Sequence, residues 1–294
     1  VSMCARERWP LLIIGAGSNI LYADAGVRGI VASIALPKYH IEVQSDGSAL
    51  VIAEAGVRWS QLVPDLVAQG WGGLEFAAGI PGTVGAGIIS NVGAHNQELG
   101  QVLERIEVLD ARGCNDTKKE VQRFPVLVMR HYPSEGLDLG YRHSRFREHR
   151  LTHIDAQGQL YLPARGLIEP AELIVTLSLR LQRNSAKMLG EIIEQHQQER
   201  KSEDPASKHL GSIFKDPSGT TARALIEQAG LAGRSHGQAQ ISQRNPNYII
   251  NMGGASASDI VALMLEAHQK ILSNTGIHLA LNVELLGAWQ QSSL

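Results

Sequence analysis

Cysteine is nearly absent: Cys4 and Cys114 are the only two in 294 residues. Two thiols so far apart make neither a disulfide framework nor a zinc-ligand spacing. His143, His149 and His153 have no metal spacing either, so no metal centre is predicted. Long apolar runs are missing; none approaches the ~18 residues of a membrane-spanning helix. No charged segment leads into an apolar stretch as in a signal peptide. Excess charge of one sign is lacking too, with 27 basic against 29 acidic residues and a net charge of −2. That balance excludes nucleic-acid binding by bulk positive charge, and an anionic ligand would need a local basic cluster. Internal repeats and low-complexity tracts are absent. What remains is a chain long enough for two or more domains and 44% hydrophobic, able to bury a sizeable core. It is expected to be cytoplasmic and reduced, with no nucleic-acid partner and no membrane insertion.

Glycine, by contrast, is plentiful and clustered. In "LLIIGAGSNI", residues 11–20, an apolar run enters Gly15-Ala16-Gly17. The third glycine of a Rossmann fingerprint would fall at Ile20, and no amphipathic helix follows. The glycines therefore lie between two strands, as a tight turn or as a ligand loop whose N–H groups form an anion nest. A denser run, Gly79-Ile80-Pro81-Gly82-Thr83-Val84-Gly85-Ala86-Gly87, is expected to be neither regular helix nor strand. It either forms a structural loop or brings successive backbone N–H groups to a pyrophosphate, and Asn91-Val92-Gly93-Ala94 extends it.

Elsewhere the periodicity is plainer. "GIVASIAL", "SALVIAEAG", "RIEVLDARG" and "AELIVTLSLRL" read as strands. Trp59, Leu62, Val63, Leu66 and Val67 have helical spacing up to Gly70, with Pro64 predicting a kink or a late start. Beyond Asn184 a polar helix is expected with Met188, Ile192 and Ile193 inward, then a short helix from Ala224 to Gly230. Ser256 or Ser258 caps a longer helix with the stripe Ile260, Leu263, Met264, Ala267 and Ile271, stopped at Gly276. "IHLALNVELLG" alternates strictly, which predicts a last strand with Ile277, Leu279, Leu281, Val283 and Leu285 on one face.

Several side chains could carry chemistry. Arg142, Arg145, Arg147 and Arg150 crowd "GYRHSRFREHR"; a solvated basic face explains most of them, with one arginine beside a cofactor as the exception. Ser212 in "GSIFKDP" has no nucleophile-elbow context, and a capping turn serine is the plainer reading. Glu284 shares its strand face with His278, Ala280 and Asn282; a surface charge is favoured over a deliberately placed acid.

Jointly, "GAGSNIL", "GIPGTVGAGIISNVGA", "YRHSRF", "GSIFKDP", "NYIIN" and "LNVELLG" resemble, in order and spacing, the UDP-N-acetylenolpyruvoylglucosamine reductases, from about residue 11 to 287. The resemblance implies an α+β chain: an FAD-binding fold of the vanillyl-alcohol-oxidase type in two α+β lobes, residues 1–46 and 47–184, plus a C-terminal α+β domain, 185–294, that binds the UDP sugar. Noncovalent FAD is implied at Gly15, Ala16, Gly17, Ser18, Asn19 and Ile20, at Gly79, Ile80, Pro81, Gly82, Thr83, Gly85 and Ala86, and at Asn91, Gly93 and Ala94. NADPH would reduce FAD, and hydride would pass to the enolpyruvyl methylene carbon. Arg142 and Glu284 would polarise and stabilise the resulting enolate, Ser212 would deliver a proton, and Lys215 and Asp216 would meet the substrate. Asp216 stands where the family usually has Asn, His143 where it has Asp, and Glu203 where it commonly has Lys. The family carries a strand-and-helix unit before the first glycine motif, and only 14 residues precede Gly15 here, so a truncated first lobe is expected. A monomer is favoured. The rival classes are an FAD oxidase of the same fold with another substrate, and an inactive relic.

Overall fold

The computed structural model describes residues 1–115, 127–148, 150 and 152–289. His149 lies outside the described residues. By contacts the chain divides into two discontinuous units: 1–17, 29–149 and 164–200 form the first, and 18–28, 150–163 and 201–294 the second. These units are discontinuous, whereas the resemblance implies consecutive stretches with boundaries at 46 and 184.

The first unit is built on an antiparallel sheet in the order Val128–Pro133, Leu103–Asp110, Glu172–Arg183, Ala49–Glu54, Tyr39–Val43. Its inward residues follow the two-residue period of a strand. Ala49, Val51, Ala53, Leu177, Leu179 and Leu181 are all fully buried at 0% exposure. Trp59–Ala68 belongs to the same core, burying Leu62, Val63 and Leu66. Each such aliphatic side chain contributes about 1.5–3 kcal/mol when fully buried. Pro64 sits inside this helix, which begins at Trp59 and so has no late start. A separate parallel sheet orders Ile168–Glu169, Leu11–Ile14 and Ile30–Ser33. Cys4 and Cys114 are buried in a small cluster with Leu11, Ala111 and Ile168.

Two expectations fail here. The glycine-rich run does contain helix, Val84–Ile89. Gly85 and Gly87 are there for contact: a Cβ on Gly85 would come within 2.5 Å of the Ala55 Cβ, and one on Gly87 within 2.8 Å of Trp59. The polar helix Ala186–Glu203 turns Leu189 and Ile193 to the core, while Met188 and Ile192 are exposed at 55% and 36%. Residues four apart share a helix face, so Leu189 and Ile193 align while Met188 and Ile192 lie one residue round from them.

The second unit holds an antiparallel sheet in the order Lys208–His209, Ile249–Asn251, Ala239–Ile241, Ser235–His236, with helices Ala222–Gln228 and Ala257–Thr275. The longer helix starts in a capping box of Ser256 and Asp259, and its stripe from Ile260 to Ile271 is buried as expected. His268 is buried beside that stripe at 0% exposure. The Asp24 carboxylate accepts from the Ala257 and Ser258 amides at 2.7 and 3.0 Å. The final segment keeps its alternating burial, with Leu279, Leu281 and Val283 each 3% exposed. Only Glu284–Leu286 forms a strand, however, parallel to Ile20–Tyr22. Ahead of it, strand-like backbone pairing among the described residues is one isolated bridge, between Phe214 and Leu281.

Candidate active site

In the first unit the two glycine segments approach each other. Gly15 ends the strand Leu11–Ile14, and its carbonyl accepts from Ser33 Oγ at 2.9 Å. A Cβ on Gly15 would lie 2.8 Å from both the Ala86 Cβ and Thr83 Oγ1. Thr83 is 5% exposed, and its hydroxyl has no hydrogen-bond partner among the described residues. A buried hydroxyl left unpaired costs free energy that a bound polar group would recover. The glycine beside it leaves backbone accessible at the same place. These residues fit a polar cofactor chain such as that of FAD. Gly17 and Gly82 take φ of 71° and 113°, which a side chain would strain. The amides of Ile80, Val84 and Gly85 are spent on the carbonyls of Ala77, Val57 and Ala55, so they hold the loop rather than an anion.

Asn91, fully buried at φ 42°, is a strut: its Nδ2 donates to the Gly140 carbonyl at 3.0 Å and its Oδ1 accepts from the Gly100 amide at 2.8 Å. It ties the glycine-rich region to the turn that presents Arg142. Arg142 adopts φ 51° and donates through a terminal nitrogen to the Gly93 carbonyl at 2.6 Å. Ser144 Oγ donates to the Ile89 carbonyl, and Arg147 to the carbonyl of Arg142. His143 pairs with Asp138 at 3.0 Å. The solvated basic face is not found. Arg147 and Arg150 are 6% and 8% exposed, and Arg145 lies over Tyr132 while pairing with Glu172 at 2.9 Å. The acceptors of Arg142, Arg145 and Arg150 come from distant segments, which local composition cannot show, while that of Arg147 is the nearby Arg142 carbonyl.

In the second unit, three backbone paths are stitched by asparagine. Asn19 Nδ2 donates to the Asn282 carbonyl at 2.8 Å, and Asn282 Nδ2 donates to the Ser212 carbonyl at 3.2 Å. The Asn282 amide donates to the Ile213 carbonyl, and the Glu284 amide to that of Asn19. Ser212 therefore lies on a strap held two residues from Glu284. It caps no helix, since Thr221 and Ser256 cap the two nearest in the unit. Asn247 staples the same strap, donating to and accepting from the Phe214 backbone at 2.9 and 3.0 Å. Lys215 is half-buried, its amide donating to the Ala280 carbonyl at 2.8 Å. Asp216 accepts from the Ala222 amide at 2.8 Å, at the start of a helix.

Glu284 is no surface charge. Its side chain is 18% exposed, and the Arg150 side chain, 9% exposed, places Nε at 2.9 Å and a terminal nitrogen at 2.8 Å from Glu284 Oε1. Burial, and then the nearby Glu284 carboxylate, push the Tyr22 phenol up. Sequence reasoning found Glu284 and Ser212 but missed Arg150 and Asn247, whose partners are far away in the chain. Among the described residues, no group of His, Cys, Asp and Glu could hold a metal ion. No helix among them is long and apolar enough to cross a membrane.

Known proteins resemble this chain in sequence and fold. A family profile described as "FAD binding domain" matches residues 1–114. Another, "UDP-N-acetylenolpyruvoylglucosamine reductase, C-terminal domain", matches residues 203–286. The UDP-N-acetylenolpyruvoylglucosamine reductase of Geobacter metallireducens is 34% identical over 98% of this chain and 83% of its own length. That of Heliobacterium modesticaldum is 30% identical over 98% of this chain and 80% of its own. The crystal structure of the Thermus caldophilus reductase superposes with a TM-score of 0.70 at 25% identity, covering 96% of this chain and 88% of that one. The fold is thus the α+β, vanillyl-alcohol-oxidase type expected from the motifs. The chain belongs to the UDP-N-acetylenolpyruvoylglucosamine reductase family and is a flavin-dependent oxidoreductase with an FAD-binding domain.

Proposed function

We propose that Arg142, Ser212 and Glu284 carry the family reaction in this chain, the NADPH-dependent reduction of UDP-N-acetylglucosamine enolpyruvate to UDP-N-acetylmuramate in peptidoglycan precursor synthesis. FAD, when bound, would supply the hydride chemistry, with NADPH as the reductant and the enolpyruvyl methylene carbon as the acceptor. Gly15 to Ile20 and Gly79 to Ala86 hold it noncovalently, with Asn91, Gly93 and Ala94 alongside. The chain acts as a cytoplasmic monomer, and residues from about 185 onward bind the UDP sugar, Lys215 and Asp216 among them.

Negative charge that develops on the substrate's carboxylate and neighbouring carbon calls for preorganised positive charge and hydrogen-bond donors. Arg142, fixed on the Gly93 carbonyl, supplies the charge. Glu284 joins Arg142 in polarising and stabilising the enolate, and the Ser212 hydroxyl delivers the proton that ends the reaction. A serine is a weak acid in water, so its service depends on the rigid strap that carries it. The observation that carries this reading is the asparagine stitch: Asn282 holds the Ser212 carbonyl two residues before Glu284.

Ser212→Ala tests it. Stopped-flow mixing with NADPH should reduce the flavin at the wild-type rate, while the sugar-dependent reoxidation should slow by about 10²–10⁴, the range for a lost proton donor. Equal slowing of both halves, or unchanged turnover, would sink the assignment of Ser212.

A further inference from the structure

Arg150 has no place in the resemblance, and its geometry asks for one. It is 8% exposed, in a chain where a lone buried cation would be costly. Its Nε and a terminal nitrogen both converge on the single oxygen Oε1 of Glu284, at 2.9 and 2.8 Å. The two residues are 134 positions apart in sequence, so no local turn brings them together. The Glu284 backbone is separately fixed, by its amide bond to Asn19 and by the parallel ladder with Ile20–Tyr22. The strand therefore places the Cα, and Arg150 grips the carboxylate at Oε1.

A second consideration is charge. The substrate's reacting end is itself a carboxylate and gains negative character during reduction. An uncompensated glutamate nearby would repel it, and such repulsion is strong where water is excluded. A guanidinium in contact with Glu284 offsets that charge and locks the side chain in one orientation.

We propose that Arg150 is a positioning residue for the reaction: it holds the Glu284 carboxylate in register and neutralises it toward an anionic substrate. The proposal rests on the reading of Glu284 as a residue that meets substrate. Arg150 itself touches neither substrate nor cofactor in this scheme.

The test is a double-mutant cycle on the holoenzyme with Arg150→Gln, Glu284→Gln and both together, plus Arg150→Lys. The readouts are kcat, KM for the enolpyruvyl sugar, its Kd on oxidised enzyme by calorimetry, and flavin reduction by NADPH. Arg150→Gln should raise KM and Kd and lower kcat/KM by about 10²-fold, the scale of a lost charge-assisted contact in a site. Arg150→Lys should recover part of the loss. Flavin reduction should be unchanged in all four. The double variant should be no worse than Glu284→Gln alone, because the proposed effect of Arg150 runs through the Glu284 charge. If Arg150→Gln does not fold, the comparison of Glu284→Gln with the double variant decides: equal rates support the proposal, and a further tenfold loss overturns it. Wild-type kinetics in Arg150→Gln beside an impaired Glu284→Gln also overturn it, and leave the reading of Glu284 standing. Wild-type kinetics in Glu284→Gln remove that reading, and the proposal with it.

Discussion

Replacing His268 by leucine should make the protein more stable, and more so in acid. His268 is 0% exposed, and neither Nδ1 nor Nε2 has a hydrogen-bond partner among the described residues. A neutral imidazole carries one donor and one acceptor, and an unpaired buried polar group costs about 1–3 kcal/mol. Leucine removes both nitrogens at similar size on a stripe already made of Ile260, Leu263, Met264 and Ile271. The expected gain at pH 7.5 is about 1–2 kcal/mol, the removed penalty less some loss of shape fit. Acid adds a second effect. Burial first, and His278 at 5.5 Å between ring centroids, push the His268 pKa below its ordinary value of 6.5, with Asp155 opposing. Between the lowered folded value and 6.5, the unfolded chain therefore binds the proton and the folded one does not. Stability then falls with falling pH, by about 1.4 kcal/mol per unit, until the folded pKa is reached. Above 6.5 this contribution is flat. Urea unfolding followed by circular dichroism at pH 7.5, 6.5 and 5.5 reads both effects. The gap between leucine variant and wild type should open from 6.5 to 5.5. A variant less stable at pH 7.5, or one with the wild-type pH slope, would refute the reasoning.

Two further outcomes concern the cofactor. Gly15→Val would force its Cβ to within 2.8 Å of the Ala86 Cβ and Thr83 Oγ1; a fluorescence titration should show a loss of FAD affinity of about five- to a hundredfold, from about 1–3 kcal/mol of overpacking, and unchanged affinity would remove Gly15 from the cradle. Acid precipitation should release the flavin to the supernatant, because Cys4 and Cys114 are buried in a cluster with Leu11, Ala111 and Ile168; colour retained in the pellet would show a covalent link.

Much of the fold was legible where one period governs a segment. The stripe of Ala257–Thr275 and the strands Ala49–Glu54 and Glu172–Arg183 fall where apolar spacing puts them. What escaped depended on partners elsewhere in the chain. Met188 and Ile192 look inward by composition, yet the helix phase is set by Leu189 and Ile193, which reach the core. The segment from Ile277 alternates like a strand, but the 213–215 backbone meets it in a single bridge, so it buries like a strand without pairing as one. At the proposed site, motifs pointed to Arg142, Ser212 and Glu284. They could not show that Arg150 would be the neighbour of Glu284, because an ion pair across 134 residues leaves no local trace.

The pairing of Glu284–Leu286 with Ile20–Tyr22 also bears on how the chain is made. Asn19 and Asn282 are 263 residues apart, and they bond only after the ribosome has passed the second of them. At synthesis rates of about 5–20 residues per second, the early strand waits roughly 13–50 s for its partner. During that interval Ile20–Tyr22 is an unpaired edge on a nascent polypeptide, open to mispairing and to chaperone capture. The first unit is complete once Arg200 has emerged, so it can fold ahead of the second. Glu284 is thereby placed only after the first unit can fold, and a ribosome stalled before residue 284 leaves Ile20–Tyr22 without its partner strand and the proposed site without its carboxylate.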